Sequence, residues 1–294
     1  MTVNYGIRAD RISGFVEGGQ LSPRLGLVYK YSLMTTFHAG YSRSFTPPRF
    51  ELVAPATLAK FQNTTNQPEV NVDNPVLPER MHYFDAGVSH KFVPDLTVSL
   101  DAYYKYARNL GDFGQFGQAL VFSPFNWDRA IIKGTELTIS YAHENLATYF
   151  NVARSRAMAK GISSGEFQFG QEELDAINSQ YVHLDHDQTW AASGGVSYLW
   201  GGTNYSADFI FGSGMRRTPP GGLPNSDHMP GYVQANLGAN RQFNNEQFGK
   251  LRLRFAVINA FDRGYQIRDG TGVGVGAPQY GPRRALYVTL GKTF

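Results

Sequence analysis

The densest set of potential metal ligands in the chain is His183-Leu184-Asp185-His186-Asp187. Imidazole and carboxylate groups at this spacing suit a divalent ion, and a calcium-binding surface loop would use Asp185 and Asp187. The competing reading is a polar loop that ends where a strand begins at Gln188, and no cofactor is expected. Gly270-Thr271-Gly272-Val273-Gly274-Val275-Gly276 has the look of a phosphate-binding loop. Such loops work through backbone N–H groups at a helix start. Here Pro278 and Pro282 follow, so no helix begins and a mobile connection is the better reading.

The 294 residues contain 0 cysteines, which excludes disulfides, zinc-thiolate sites and thiol nucleophiles. Neither a Gly-x-Ser-x-Gly elbow nor a His-Glu-x-x-His pair occurs, so the familiar hydrolase motifs are missing. A Ser, His and Asp brought together from separate strands is the remaining catalytic route, because spacing along the chain does not report it. The net charge of +3 is small and no dense Lys/Arg run exists, so no nucleic-acid partner is expected.

The elements that must position these groups are strands. Aromatic residues reach 14%, charged residues only 17%, and there are 32 Gly and 15 Pro, a composition for many strands joined by turns. Leu96, Val98, Leu100, Ala102, Tyr104 and Tyr106 alternate with Thr97, Ser99, Asp101, Tyr103 and Lys105. The same two-residue period sets Val233, Ala235, Leu237 and Ala239 against polar neighbours, and Leu251, Leu253, Phe255 and Val257 against Arg252 and Arg254. Each segment matches the roughly 9 to 11 residues of a tilted membrane strand. A mean hydropathy of -0.33 does not argue against a membrane barrel, whose strands expose one polar face.

Weaker alternation brings the reading to an all-β chain of about twelve strands. Expected short connections are Tyr31-Ser32, Val93-Pro94-Asp95, His143-Glu144-Asn145, Gly201-Gly202 and Asn244 to Lys250. Expected long ones are Asp10 to Leu21, Thr46 to Arg80, Leu110 to Asp128, Gly161 to Asp187, Arg217 to Pro230 and Tyr265 to Pro282. In an up-and-down antiparallel meander, connections that take turns in length gather all the long ones at one rim. That is the short-periplasmic, long-extracellular asymmetry of transmembrane β-barrels. A soluble sandwich or barrel is the competing architecture; it fits poorly with connections as long as Thr46 to Arg80.

On the water-facing side of the strands the alternation places Asp85, Asp101, Lys105, Glu136, Asp208, Arg252 and Arg254. Each needs water or a partner, because a lone buried charge is costly. Both signs are present, which fits a paired wall better than a pore selective for one ion charge.

Three stretches resemble the β-barrel of TonB-dependent receptors. Tyr41-Ser42-Arg43-Ser44-Phe45-Thr46-Pro47-Pro48 resembles a strand end of that family, Asn259-Ala260-Phe261-Asp262 its penultimate strand, and Arg284 to Phe294 its closing strand. The resemblance implies that residues 1–294 are the C-terminal portion of a barrel of about 22 strands, with the plug, the earlier strands, the energy-coupling box and the signal peptide outside this chain. It also implies outer-membrane lipid as surroundings, the TonB complex and plug as partners, and a closing strand read by the barrel-assembly machinery through Leu286, Val288, Leu290 and Phe294. The lumen charges named above would then face the plug. Twelve is an even number, so a small independent barrel, a passive channel or a hydrolase, stays open as the alternative.

If the resemblance holds, ligand capture belongs to the long-connection rim, where aromatics and arginines gather: Phe45, Arg49, Phe50, Phe113, Phe116, Trp127, Phe167, Phe169, Tyr181, Arg216, Arg217, Tyr265, Arg268 and Tyr280. Aromatic faces stack on flat or cationic ligands and guanidinium forks grip carboxylates or catecholates. A membrane-interface girdle is the competing role for any single aromatic. The function implied is energy-coupled uptake of a scarce nutrient, by default a ferric siderophore, with no bond broken.

Overall fold

The computed structural model describes residues 1–14, 16–48, 58–115, 122–245, 249–273 and 276–293. In chain order its strands are β1 (Thr2–Ile12), β2 (Gly18–Lys30), β3 (Thr35–Thr46), β4 (Glu79–Val93), β5 (Leu96–Gln115), β6 (Phe122–His143) and β7 (Leu146–Ser164). After the helix α1 (Gln171–Ser179) come β8 (Val182–His183), β9 (Trp190–Trp200), β10 (Thr203–Gly212), β11 (Arg216–Arg217) and β12 (Asp227–His228). The last are β13 (Tyr232–Asn245), β14 (Gly249–Ile258), β15 (Gln266–Arg268), β16 (Gln279–Tyr280) and β17 (Ala285–Thr293). The sheet order β1-β2-β3-β4-β5-β6-β7-β9-β10-β13-β14-β17 is an antiparallel up-and-down meander of 12 strands. Both ends of the path are unpaired, so the sheet is not closed within this chain. Among the described residues, no helix is long and apolar enough to cross a membrane.

Register divides the sheet into two chemically distinct faces. One carries Val88, Leu100, Leu137 and Val152 side by side across β4 to β7, and Leu237, Val257 and Leu286 across β13, β14 and β17. Many of its apolar residues lie open, among them Leu100, Leu237, Val288 and Leu290. Contiguous exposed apolar surface on this scale calls for a hydrocarbon surrounding. The other face carries Asp85, Asp101, Lys105 and Glu136 on β4 to β6, Asp208 on β10 and Arg252 with Arg254 on β14. Gly40 and Gly87 make room there: a Cβ on either would run into the Asp85 or Asp101 carboxylate.

Two of the expected long connections are instead largely strand. The ladder from Leu110↔Trp127 to Gln115↔Phe122 replaces most of the connection expected over Leu110 to Asp128. Likewise β1 runs to Ile12 and β2 starts at Gly18, within the connection expected from Asp10 to Leu21. In these extensions backbone pairing continues while simple apolar alternation stops: consecutive Phe125, Asn126 and Trp127 are all buried. The strands β5, β6 and β7 consequently reach 20, 22 and 19 residues, well past a membrane's thickness. Neither α1 nor β8 is expected from the sequence; α1 spans only 9 residues, with Leu174 and Ile177 as its buried contacts.

Candidate functional site

Among the described residues, those of the longer connections in the core do not stand away from the sheet. They fold back over the polar face of β5 to β7. Ala107, Ala130, Ala157 and Ala159 present small side chains there, and Leu174 and Ile177 of α1 join them with Phe125, Trp127, Phe169, Val182, Leu184 and Val273 in the main hydrophobic core. This core is a roof over the mouth of the sheet, not a filling between layers.

Beneath the roof, buried ions lock the connections together. Asp187, with its side chain 1% exposed, accepts from His183 Nδ1 at 2.6 Å and Arg216 Nε at 3.3 Å. Its other oxygen accepts from the Ala157 N–H at 2.9 Å. Asp185 accepts from Arg268 at 2.6 Å and from His186 Nδ1 at 2.8 Å. Buried Asn225 donates to the His183 carbonyl at 2.8 Å and accepts from the Val273 N–H at 2.9 Å. Arg217 holds Asp227 through Nε and Nη2 at 2.9 and 2.7 Å. The described residues of segments 165–189, 213–231 and 259–284 thus form one interlocked body, each segment supplying charges that another neutralises.

Two titrating groups link this body to β5. Burial pushes the Asp112 carboxyl up, against the opposing pull of His186 and of a bond from Trp127 Nε1 at 3.1 Å. The hydrogen bond to Asp185 holds His186 above the ordinary imidazole range, with the Asp112 charge adding to it and burial opposing. Asp112, Asp185 and His186 each offer an atom within 4.8 Å of the others. Asp187, the other metal candidate of the sequence, is outside that group; one of its oxygens takes His183 and Arg216 and the other the Ala157 N–H.

The rim candidates separate by burial. Trp127 is fully buried and Phe45, Phe167 and Phe169 nearly so; their faces pack within the protein, with Arg80 lying 5.8 Å over the Phe45 ring. Completing the barrel can only bury them further. Arg216, Arg217 and Arg268 hold the carboxylates just described, and Tyr265 stacks on Tyr232 at 4.4 Å while donating to Gln234 at 2.8 Å. Tyr181 is half-buried, and Phe113 and Tyr280 are open at 43% and 70%. Arg49, Phe50, Phe116 and Phe294 lie outside the described residues.

Sequence reading missed Asp112 and Asn225, whose roles come from contacts distant in the chain, and it offered His183 as a metal ligand, where it bonds Asp187 instead. It found Asn259 and Asp262 through the family-like run, and they form a clasp. Asn259 donates to the Arg263 and Pro282 carbonyls at 2.9 and 2.8 Å. Asp262 takes a bidentate grip from Arg283 at 2.8 and 2.6 Å. That grip, followed by the bond from the Arg284 N–H, holds the Asp262 carboxyl far below the usual carboxylate range.

On the polar face, His38 Nε2 lies 3.1 Å from Asp101 and 3.8 Å from Asp85. Lys105 sits 5.4 Å from both the Tyr83 and Tyr103 rings, and Asp208 accepts from Asn236 at 2.6 Å.

A family model described as TonB dependent receptor-like, beta-barrel, matches residues 1–260. No curated protein matches. Among solved structures, the FrpB iron transporter from Neisseria meningitidis (F5-1 variant, apoprotein form) superposes with TM-score 0.66 at 15% identity, covering 98% of this chain and 42% of that one. The copper transporter OprC gives 0.65 at 17%, covering 94% and 40%. The ferric yersiniabactin uptake receptor FyuA from Yersinia pestis gives 0.60 at 13%, covering 94% and 37%. The chain therefore spans roughly two fifths of the length of these structures.

Proposed function

Because the chain belongs to the TonB-dependent receptor-like β-barrel family, we propose that it is the C-terminal part of an outer-membrane receptor for energy-coupled nutrient uptake, with a ferric siderophore as the cargo. The observation that carries this reading is the combination of an apolar outer face with interlocked connections roofing the polar one. A wall of this kind gives a ligand one wet entrance, closed over by a rigid surface. Iron and ferric-chelate transporters among the structural neighbours support the choice of cargo. In this reading the solvent-open Phe113 and Tyr280 meet the ligand, while Asp85, Asp101, Lys105, Glu136, Asp208, Arg252 and Arg254 face a plug. TonB supplies the work that moves the plug, so the chain breaks no bond. Leu286, Val288 and Leu290 of β17, with Phe294, serve as the signal for the barrel-assembly machinery.

The test is uptake of labelled ferric chelates by cells with the intact gene deleted and then restored. Loss of one chelate on deletion and its recovery on restoration supports the reading. Unchanged uptake of every iron chelate, with loss of a cobalamin or sugar, removes the siderophore and keeps the receptor.

A further inference from the structure

The outward face of β3 to β7 changes character at its long-connection end. Register sets Arg80 opposite Arg108, Arg108 opposite Arg129, and Arg129 opposite Lys160, a row of cations across adjacent strands. Closer to the membrane, Lys133 stands between Tyr104 and Arg156. Arg154 flanks them on β7, opposite Thr135. Arg108, Arg129, Lys133, Arg154 and Arg156 are all exposed. The carboxylates Glu79, Asp85, Asp101 and Glu136 of the same strands fall on the opposite face. Among the described residues, Asp128 is the carboxylate that reaches the row, at 3.1 Å from Arg129. The remaining contacts do not neutralise charge: Arg80 lies over Phe45, Arg154 lies 5.7 Å over Trp190, and Lys160 donates to the Ser179 carbonyl at 3.0 Å.

Like charges directly opposite one another destabilise a sheet, so such a row calls for anions from outside. Its height says which. The ten-residue step from Leu96 to Tyr106 carries the outward apolar residues of β5; at about 3.4 Å per residue and a tilt of about 40° it rises about 26 Å, close to the thickness of the apolar band of a membrane barrel. The Arg108 row therefore sits at head-group level, and Lys133 and Arg156 are long enough to snorkel up to it from below. At about 4.8 Å between strands the row is about 14 Å wide, more than one phosphate fills.

We propose that this band binds an outer-leaflet lipid whose head group carries at least two phosphates, held by Arg108 and Arg129 from above and by Lys133 and Arg156 from the acyl-chain border. The proposal rests on the membrane placement under Proposed function, but not on the nutrient assigned there.

The test uses the intact protein in non-ionic detergent, with binding read by native mass spectrometry. The probes are a bisphosphorylated diglucosamine lipid, the same lipid without phosphates, and inorganic phosphate. The bisphosphorylated lipid is expected to bind about tenfold or more tightly than the dephosphorylated one. The combined variant Arg108→Gln, Arg129→Gln, Lys133→Gln, Arg156→Gln is expected to bind both lipids alike. Equal binding of the two lipids by the native protein overturns the proposal, as does undiminished binding by the variant. Displacement of the lipid by millimolar inorganic phosphate also overturns it, marking a free-anion site. If the combined variant does not fold, judged by heat-modifiable migration, the pair Lys133→Gln, Arg156→Gln replaces it, with a drop of about threefold or more expected. Lipid binding without import of any ferric chelate refutes only the uptake reading, and import without lipid selectivity refutes only this one.

Discussion

At the residue scale the roof depends on charges that have no water to fall back on. Asp187 neutralises Arg216 and bonds His183 from a buried position. Removing one partner of such a group leaves the others buried and unpaired, a loss of about 3 to 5 kcal/mol. Asp187→Asn is therefore expected to loosen the connections without unmaking the barrel. Limited trypsin digestion should cut at Arg216 and Arg217 within minutes in the variant and not in the native chain, while heat-modifiable migration stays the same. Asp262 gives the opposite case, an exposed clasp with a strongly depressed carboxyl. Its contribution is complete above the ordinary carboxylate pKa of about 4 and is lost only as pH falls through the lower folded value. Amide exchange at Arg284 should accordingly stay slow from pH 7 through pH 4, and become fast at all pH values in Asp262→Ala. These residues also show where sequence reading stops. Asp85, Asp101 and Glu136 are legible as sharing one face because a strand's period is fixed by covalent geometry. The Arg216 and Ala157 partners of Asp187 are set by two connections and β7 meeting in space, which no local pattern encodes.

At the element scale, α1 and the alanines beneath it explain why aromatic type alone misreads exposure. Trp127 and Phe169 sit at the expected end of the sheet, but the helix settles on them, and its 9 residues are too few to show a helical period. Fully buried Ile177 is the contact on which that packing turns. Ile177→Ala should cost about 2 to 5 kcal/mol of local stability. Since Trp127 is fully buried beside this core, its fluorescence should shift to the red in the variant, measured with Trp190 and Trp200 replaced by Phe. The bond between His186 and Asp185 couples the roof to pH. A raised imidazole pKa stabilises fully below the unfolded value of about 6.5 and is lost as pH climbs through the folded one. Protection of the Asp187 and Arg216 amides against exchange should thus fall as pH rises from 6 towards 9. His186→Gln should remove that dependence; a native profile flat across the same range would refute the coupling.

At the scale of the whole molecule, the unpaired outer edges of β1 and β17 decide what the chain can be. Unpaired N–H and C=O groups facing hydrocarbon cost several kcal/mol each, so membrane sheets must close. Twelve strands have two ways to do so: β1 can pair with β17, or both can pair with strands beyond this chain. These 294 residues hold no cysteine, which makes the choice measurable through cysteines placed on β1 and β17. Tyr5 and Ile7 on β1, and Leu286, Val288 and Leu290 on β17, are all highly exposed at these edges. A disulfide needs Cα atoms within about 7 Å, which only direct neighbours in a barrel meet. In the intact protein, paired substitutions such as Tyr5→Cys with Val288→Cys, or Ile7→Cys with Leu286→Cys, should give no intramolecular crosslink under mild oxidation in lipid vesicles. A crosslinked monomer would mean that β1 and β17 are neighbours and that twelve strands close by themselves. Span alone argues for the larger barrel, since solved relatives devote less than half of their length to the matching strands; the crosslink tests it on the edges themselves.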